Sequence, residues 1–140
     1  MKQITFGIFE MIDRAEKSII VEHAYIMDQQ IVDKLIAAAK RGITVTIIRG
    51  MAESKSLARA NETFFRQMKN VPDITILDDN RVIHTKLLST DDRYSMIGSA
   101  NLSRTSLWDH NEVSLFIAGE NPMQTQIQKQ VQTTIQRLRS

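Results

Sequence analysis

The apolar positions of this chain follow two periods. Residues 4 to 16 place Ile4, Ile8, Phe9 and Ile12 at helical spacing and run into a charged Ala-Glu-Lys step, which predicts an amphipathic helix. The next run, SIIVEHAYI, is rich in β-branched residues and predicts a buried strand over 18 to 26. Asp28 is placed to cap a helix reaching about Arg41, with Ile31, Leu35 and Ala39 on one row, Val32 and Ile36 on the next, and Gly42 as the stop. Ile43 to Ile48 reads as a strand. Strand, helix and strand then form a βαβ unit, which implies a parallel pair with a right-handed crossover.

Ser54 opens a second helix that turns Leu57, Phe64, Phe65 and Met68 inward, and Pro72 punctuates the chain before a strand from Ile74 to Leu77. RVIHTKLLSTDDRYSMIGSAN has apolar residues flanking Ser89-Thr90-Asp91-Asp92, a composition suited to a tight turn, and reads as strand, turn, strand. EVSLFIA is a last strand. Pro122 starts a C-terminal helix with Ile127, Val131, Ile135 and Leu138 on one stripe and a glutamine-rich opposite side. The order predicts an α/β fold: one domain over 1–140, with a mixed, largely parallel central sheet flanked by helices on both faces.

Composition narrows this picture modestly. The 140 residues carry 18 Lys and Arg against 16 Asp and Glu, a net charge of +2, so an anionic partner would have to be met by a local patch. Lys55, Arg59, Arg66 and Lys69 fall near one another on the outer side of the second helix. A solvated helix face is the preferred reading, and phosphate contact by Lys55 and Arg59 is the functional alternative. Cysteine is absent, which excludes thiolate catalysis and Cys-ligated zinc. No apolar run approaches membrane-spanning length, so a cytoplasmic protein without membrane insertion is expected.

The candidate chemistry gathers in the second half. On a strand, alternation would project His84 and Lys86 from one face, with Thr85 and Leu87 on the other. A histidine beside an ammonium repels a metal and suits an anion. Asn101 stands where it could cap a short helix from Leu102, whose free N–H groups would suit a phosphate oxygen, with Ser99 nearby. Glu112 begins the following strand and is expected to accept a hydrogen bond from His84 and fix its tautomer. For Asp91, in a polar turn, capping backbone N–H groups is preferred over direct chemistry. His23, on an apolar strand, reads as a satisfied core or rim histidine. His110 lies in a loop, where Arg104 and Trp108 are candidates to line the cleft.

Taken together, His84-x-Lys86, four residues and Asp91, then six residues and Gly98-Ser99-x-Asn101, with the acidic Glu112 downstream, resemble the signature of the phospholipase D superfamily. The upstream order of elements is similar to that family too. The resemblance implies a phospholipase D-like fold and a two-step displacement at phosphorus without a metal or other cofactor. One histidine attacks to form a phosphohistidine, a second handles protons, and lysines and asparagines hold the non-bridging oxygens. Such members usually carry the motif twice, whereas this sequence carries it once, which implies a homodimer whose twofold axis joins two His84 residues at the active site. The leading expectation is an endonuclease cutting DNA or RNA. The alternatives are a phospholipid-hydrolysing or transphosphatidylating enzyme, the catalytic domain of a larger restriction or defence enzyme, and a noncatalytic scaffold.

Overall fold

The structure is a computed structural model that describes residues 3–99, 101–103, 107 and 112–140. Its first helix, α1 (Gln3–Arg14), buries Ile8, Met11 and Ile12. β1 (Ser18–His23) follows and stops short of the predicted strand end; the chain bends at Ala24 and a separate two-residue strand, β2 (Ile26–Met27), follows. The Asp28 carboxylate accepts from the Gln30 and Ile31 N–H groups at the start of α2 (Gln29–Lys40). That helix ends as predicted. Ile43 N–H donates to Ala38 C=O and Gly42 N–H to Ala39 C=O, a closure that needs the left-handed conformation of Gly42, whose φ is 90°.

β3 (Thr44–Arg49) lies parallel to β1, so the βαβ unit forms as the pattern implies. Ser54 caps α3 (Lys55–Phe65), and β4 (Ile74–Asp78) adds a second parallel pairing beside β3. β5 (Leu87–Thr90), β6 (Tyr94–Gly98) and β8 (Ser114–Ala118) continue the sheet antiparallel on the other side of β1. The order is β4-β3-β1-β5-β6-β8, and β1, β3, β4 and β6 run in one direction. Asn121 caps the last helix, α4 (Pro122–Arg139).

Side-chain alternation divides the core into two layers. Ile19, Val21, Val45, Ile47 and Leu88 pack with Ile8 and Ile12 of α1, Ile31 and Leu35 of α2, and Phe65 of α3. Ile20, Ile48 and Leu87, facing the other way, receive Val131 and Ile135 of α4. Each fully buried Ile or Leu contributes about 2 kcal/mol relative to exposure, so the larger layer supplies most of the hydrophobic stabilisation. No described helix is long and apolar enough to cross a membrane.

Two predictions at the carboxyl edge of the sheet are corrected. Residues 82–86, including His84 and Lys86, belong to no strand. The link from β4 to β5 must cross the ends of β3 and β1; Lys86 C=O still accepts from Gly98 N–H at 3.2 Å, but before it the segment runs across strand ends, where Met51 N–H bonds Arg81 C=O at 3.2 Å and Ile83 presses on Gly50. Leu102 does not open a helix either. Leu102–Ser103 forms β7, paired parallel with β2, which places the buried Leu102 side chain in the core.

Candidate active site

Because four strands share a direction, their carboxyl ends meet at one edge, where ligands of open α/β sheets bind. The crossing link carries His84 and Lys86 over that edge. Asn101, between β6 and β7, comes to the same place, and the three line one cleft of about 160 Å³. His84 is exposed, while Lys86 and Asn101 are half-buried. The Lys86 ammonium donates to the His84 carbonyl at 3.4 Å. An imidazole, an ammonium and a carboxamide converging on a solvent-open cleft can hold an anion and present a nucleophile to it.

The cleft also has walls that the sequence reading missed. Tyr25, just past β1, is buried, and its hydroxyl accepts from Glu53 N–H at 2.8 Å, fixing the loop between β3 and α3. Met51 and Val82, 49% and 55% exposed, stand at the rim beside His84 as large apolar side chains. Their position beyond strand ends was the only signal, and it gains meaning once the strand order is known. A groove of about 670 Å³ between α1 and the β6–β8 face is larger; apolar Met11, Met96 and Phe116 and charged Arg14, Asp91 and Arg93 help to line it, but it contains neither His84 nor Lys86. Chemistry singles out the smaller cleft.

Glu112 is placed differently from the expectation. Its carboxylate accepts a short hydrogen bond from the Ser99 hydroxyl, whose oxygen also accepts from Val113 N–H at 3.1 Å. Glu112 and Ser99 thus lock the end of β6 to the start of β8, and among the described residues no carboxylate bonds the His84 imidazole. Gly98 makes this close approach possible, since a Cβ there would sit 2.8 Å from Ser114 Cα and 2.5 Å from Val113 O.

Asp91 lies at the far end of β5 from His84. Its carboxylate accepts from the backbone N–H groups of Glu16, Lys17 and Ser18. Lys55 and Arg59 are exposed on the first turns of α3; the cleft takes Leu57 and Glu53 from that region but neither cation. Lys69 is engaged by Glu62 at 2.6 Å. Arg104, Trp108 and His110 lie outside the described residues. His23 is a core residue, 3% exposed, but among the described residues its Nδ1 has no hydrogen-bond partner, contrary to the satisfied histidine expected. Burial, and then the charge of Lys86, hold its pKa down to about 3. Among the described residues no group of three or more His, Asp or Glu converges as a metal site would require.

A family model described as "Cardiolipin synthase, PLD-like domain" matches residues 8–139, and the chain belongs to this family of the phospholipase D superfamily. A cardiolipin synthase of Staphylococcus aureus (strain Mu50 / ATCC 700699) is 31% identical over 125 residues, which is 83% of this chain and 24% of the relative. One from Wigglesworthia glossinidia brevipalpis is 28% identical over 109 residues, 76% of this chain and 22% of the relative. The chain therefore spans about a quarter of the length of these curated relatives. Among solved structures, the phospholipase D family member Nuc from Salmonella typhimurium superposes with a TM-score of 0.79 at 22% identity, over 91% of this chain and 84% of that one. NucT from Helicobacter pylori does so with 0.79 at 18% identity, over 94% and 86%. These superpositions establish the phospholipase D fold.

Proposed function

We propose that the protein is a phosphodiesterase in which His84 attacks phosphorus, and that it acts on nucleic acid. The observation that carries the chemistry is the convergence of His84, Lys86 and Asn101 on one cleft at the carboxyl edge of the sheet. An imidazole nitrogen of His84 forms a bond to phosphorus as the bond to the leaving oxygen breaks, giving a phosphohistidine. A second histidine, the His84 of another copy, gives a proton to the leaving oxygen and then takes one from the water that releases the phosphoryl group. Lys86 and Asn101 donate to the non-bridging oxygens, where charge grows. Asp91 is structural in this scheme, and the Ser99–Glu112 pair supports the cleft wall. The nucleic-acid reading draws on likeness in fold and span to Nuc and NucT and on the exposed cations Lys55 and Arg59 of α3, the helix that gives Leu57 to the cleft.

A second reading, phosphatidyl transfer, is favoured by the cardiolipin synthase relatives and by the apolar rim of Met51 and Val82. One assay separates the two. Single- and double-stranded DNA and RNA, and vesicles of anionic phospholipid, are incubated with the protein in excess EDTA. Cleavage of a nucleic acid without lipid turnover is expected, and the reverse overturns the nucleic-acid reading. His84→Asn should abolish turnover, a loss of at least about a hundredfold, with the fold retained. Unchanged turnover would remove His84 from the mechanism.

A further inference from the structure

Lys86 also adjoins a second, smaller cavity whose other residues the proposed chemistry leaves unused. Extending the β1–β5 register one step past its last pair, Glu22 and Leu87, brings His23 alongside Lys86 on the face that packs against α1. The adjoining ladder continues in the same way: Gly98 N–H donates to Lys86 C=O at 3.2 Å, and Gly98 pairs with Ser114. His23, Lys86, Gly98 and Ser114, with apolar side chains from α1, β5, β6 and β7, line one small cavity of about 10 Å³, room for about one water molecule.

His23 is held in that wall with 3% exposure and an Nδ1 that no group among the described residues partners. A buried ring nitrogen without a hydrogen bond is uncommon and calls for a reason. Burial and the neighbouring Lys86 charge keep the ring neutral, so it can present a lone pair. In the fold as it stands, the Lys86 ammonium reaches back to the His84 carbonyl at 3.4 Å, a long contact that leaves two of its three donors available. The imidazole lines the same small cavity as Lys86.

We propose that His23 is a positioning residue for Lys86: its neutral imidazole accepts, through one water in this cavity, a hydrogen bond that aims the ammonium at a phosphate oxygen in the cleft. This rests on the reading of Lys86 as a phosphate ligand and adds to it a residue outside the motif. A lysine is a flexible point charge on a four-carbon stem, and a second anchor restricts the directions it samples. Removing the acceptor frees the ammonium without removing its charge.

The test compares His23→Leu, His23→Asn and Lys86→Met with the wild-type chain, using a chromogenic phosphodiester. His23→Leu should lower kcat by about tenfold, less than the hundredfold or more typical of deleting a charge-stabilising donor outright, with KM little changed. His23→Asn, whose side-chain oxygen falls near the Nδ1 position, should recover most of the rate. In the Lys86→Met background, His23→Leu should cost nothing further. Equal loss in the Leu and Asn variants at matched thermal stability, or a full further loss in Lys86→Met, would overturn the proposal. An activity-independent arm keeps the two readings apart. The His23 Nδ1 nitrogen resonance should report an accepted hydrogen bond in the wild type and shift in Lys86→Met. An unchanged resonance sinks the positioning role even in an active enzyme, whereas absence of any turnover with the shift present sinks the phosphodiesterase reading alone.

Discussion

The Asp91 carboxylate accepts from three successive backbone N–H groups, those of Glu16, Lys17 and Ser18, at 2.7 to 3.1 Å. It thereby ties the β5–β6 turn to the loop between α1 and β1. Burial alone would raise its pKa, but the bonds from Lys17, Glu16 and Ser18 outweigh burial and hold it below the ordinary 3.8. A carboxyl depressed on folding adds stability above its unfolded value and loses that contribution as pH falls through the folded value. Asp91→Ala should therefore cost about 2 kcal/mol near neutral pH, read from the urea midpoint, and the deficit should shrink below the ordinary 3.8. Turnover measured well below the melting temperature should stay near the wild-type rate, since β5 separates Asp91 from His84. A collapse of turnover at unchanged stability would put Asp91 into the chemistry instead. Its place in a polar turn already pointed to backbone capping; the structure names the three donors.

At the scale of elements, α4 is fastened to the sheet by a charge cluster as well as by its apolar stripe. Arg137 reaches Asp79 Oδ2 at 2.6 Å, and the Asp79 side chain is fully buried. Hydrogen bonds from Arg81 and then Arg137 overcome burial and pull the Asp79 pKa to about 2. Glu22 on β1 faces this group and goes the other way: burial first, then the negative charge of Asp79, raise its pKa, with Arg137 and Arg81 only partly offsetting them. An acid whose pKa rises on folding binds more protons in the folded state, so stability falls as pH climbs above the ordinary 4.5. Glu22→Gln should raise the melting temperature by a few degrees at pH 7 to 8, with the gain fading at and below pH 4.5. A variant less stable than wild type across that range would show the carboxylate to be a net stabiliser. The elements themselves were largely legible: Asp28, Ser54, Gly42 and Pro122 bound their helices through local chemistry, and the short apolar, β-branched runs gave the strands. What failed was non-local. Whether residues 82–86 ladder depends on β4 and β5 standing three strand positions apart, and whether Leu102 begins a helix or a strand depends on β2 offering an edge. The same holds at the site. His84, Lys86 and Asn101 were readable from spacing, but Glu112 turning to Ser99, and His23 lying under Lys86, follow from register.

At the scale of the whole molecule, the proposed double displacement needs two histidines with opposite proton duties, and among the described residues this chain offers one at its cleft. Of its three histidines, His23 is buried and held neutral well below physiological pH, so it cannot deliver a proton to a leaving oxygen. His110 lies outside the described residues, in no HxK setting. A twofold assembly would supply the missing group if its axis passed through the cleft, since identical residues meet at the axis of an isologous contact. That arrangement has an arithmetic consequence that a self-sufficient monomer lacks. If wild-type and His84→Asn chains exchange freely at equal concentration, half of the partners of any wild-type chain are defective, and activity per wild-type chain should fall to about half. Greater excess of the variant should suppress it further, while dilution of wild type alone should lower specific activity as dimers part. Sedimentation on the same samples fixes the oligomeric state. If added His84→Asn chains leave activity per wild-type chain unchanged while mixed dimers demonstrably form, the second proton carrier lies within one chain and the shared site is lost.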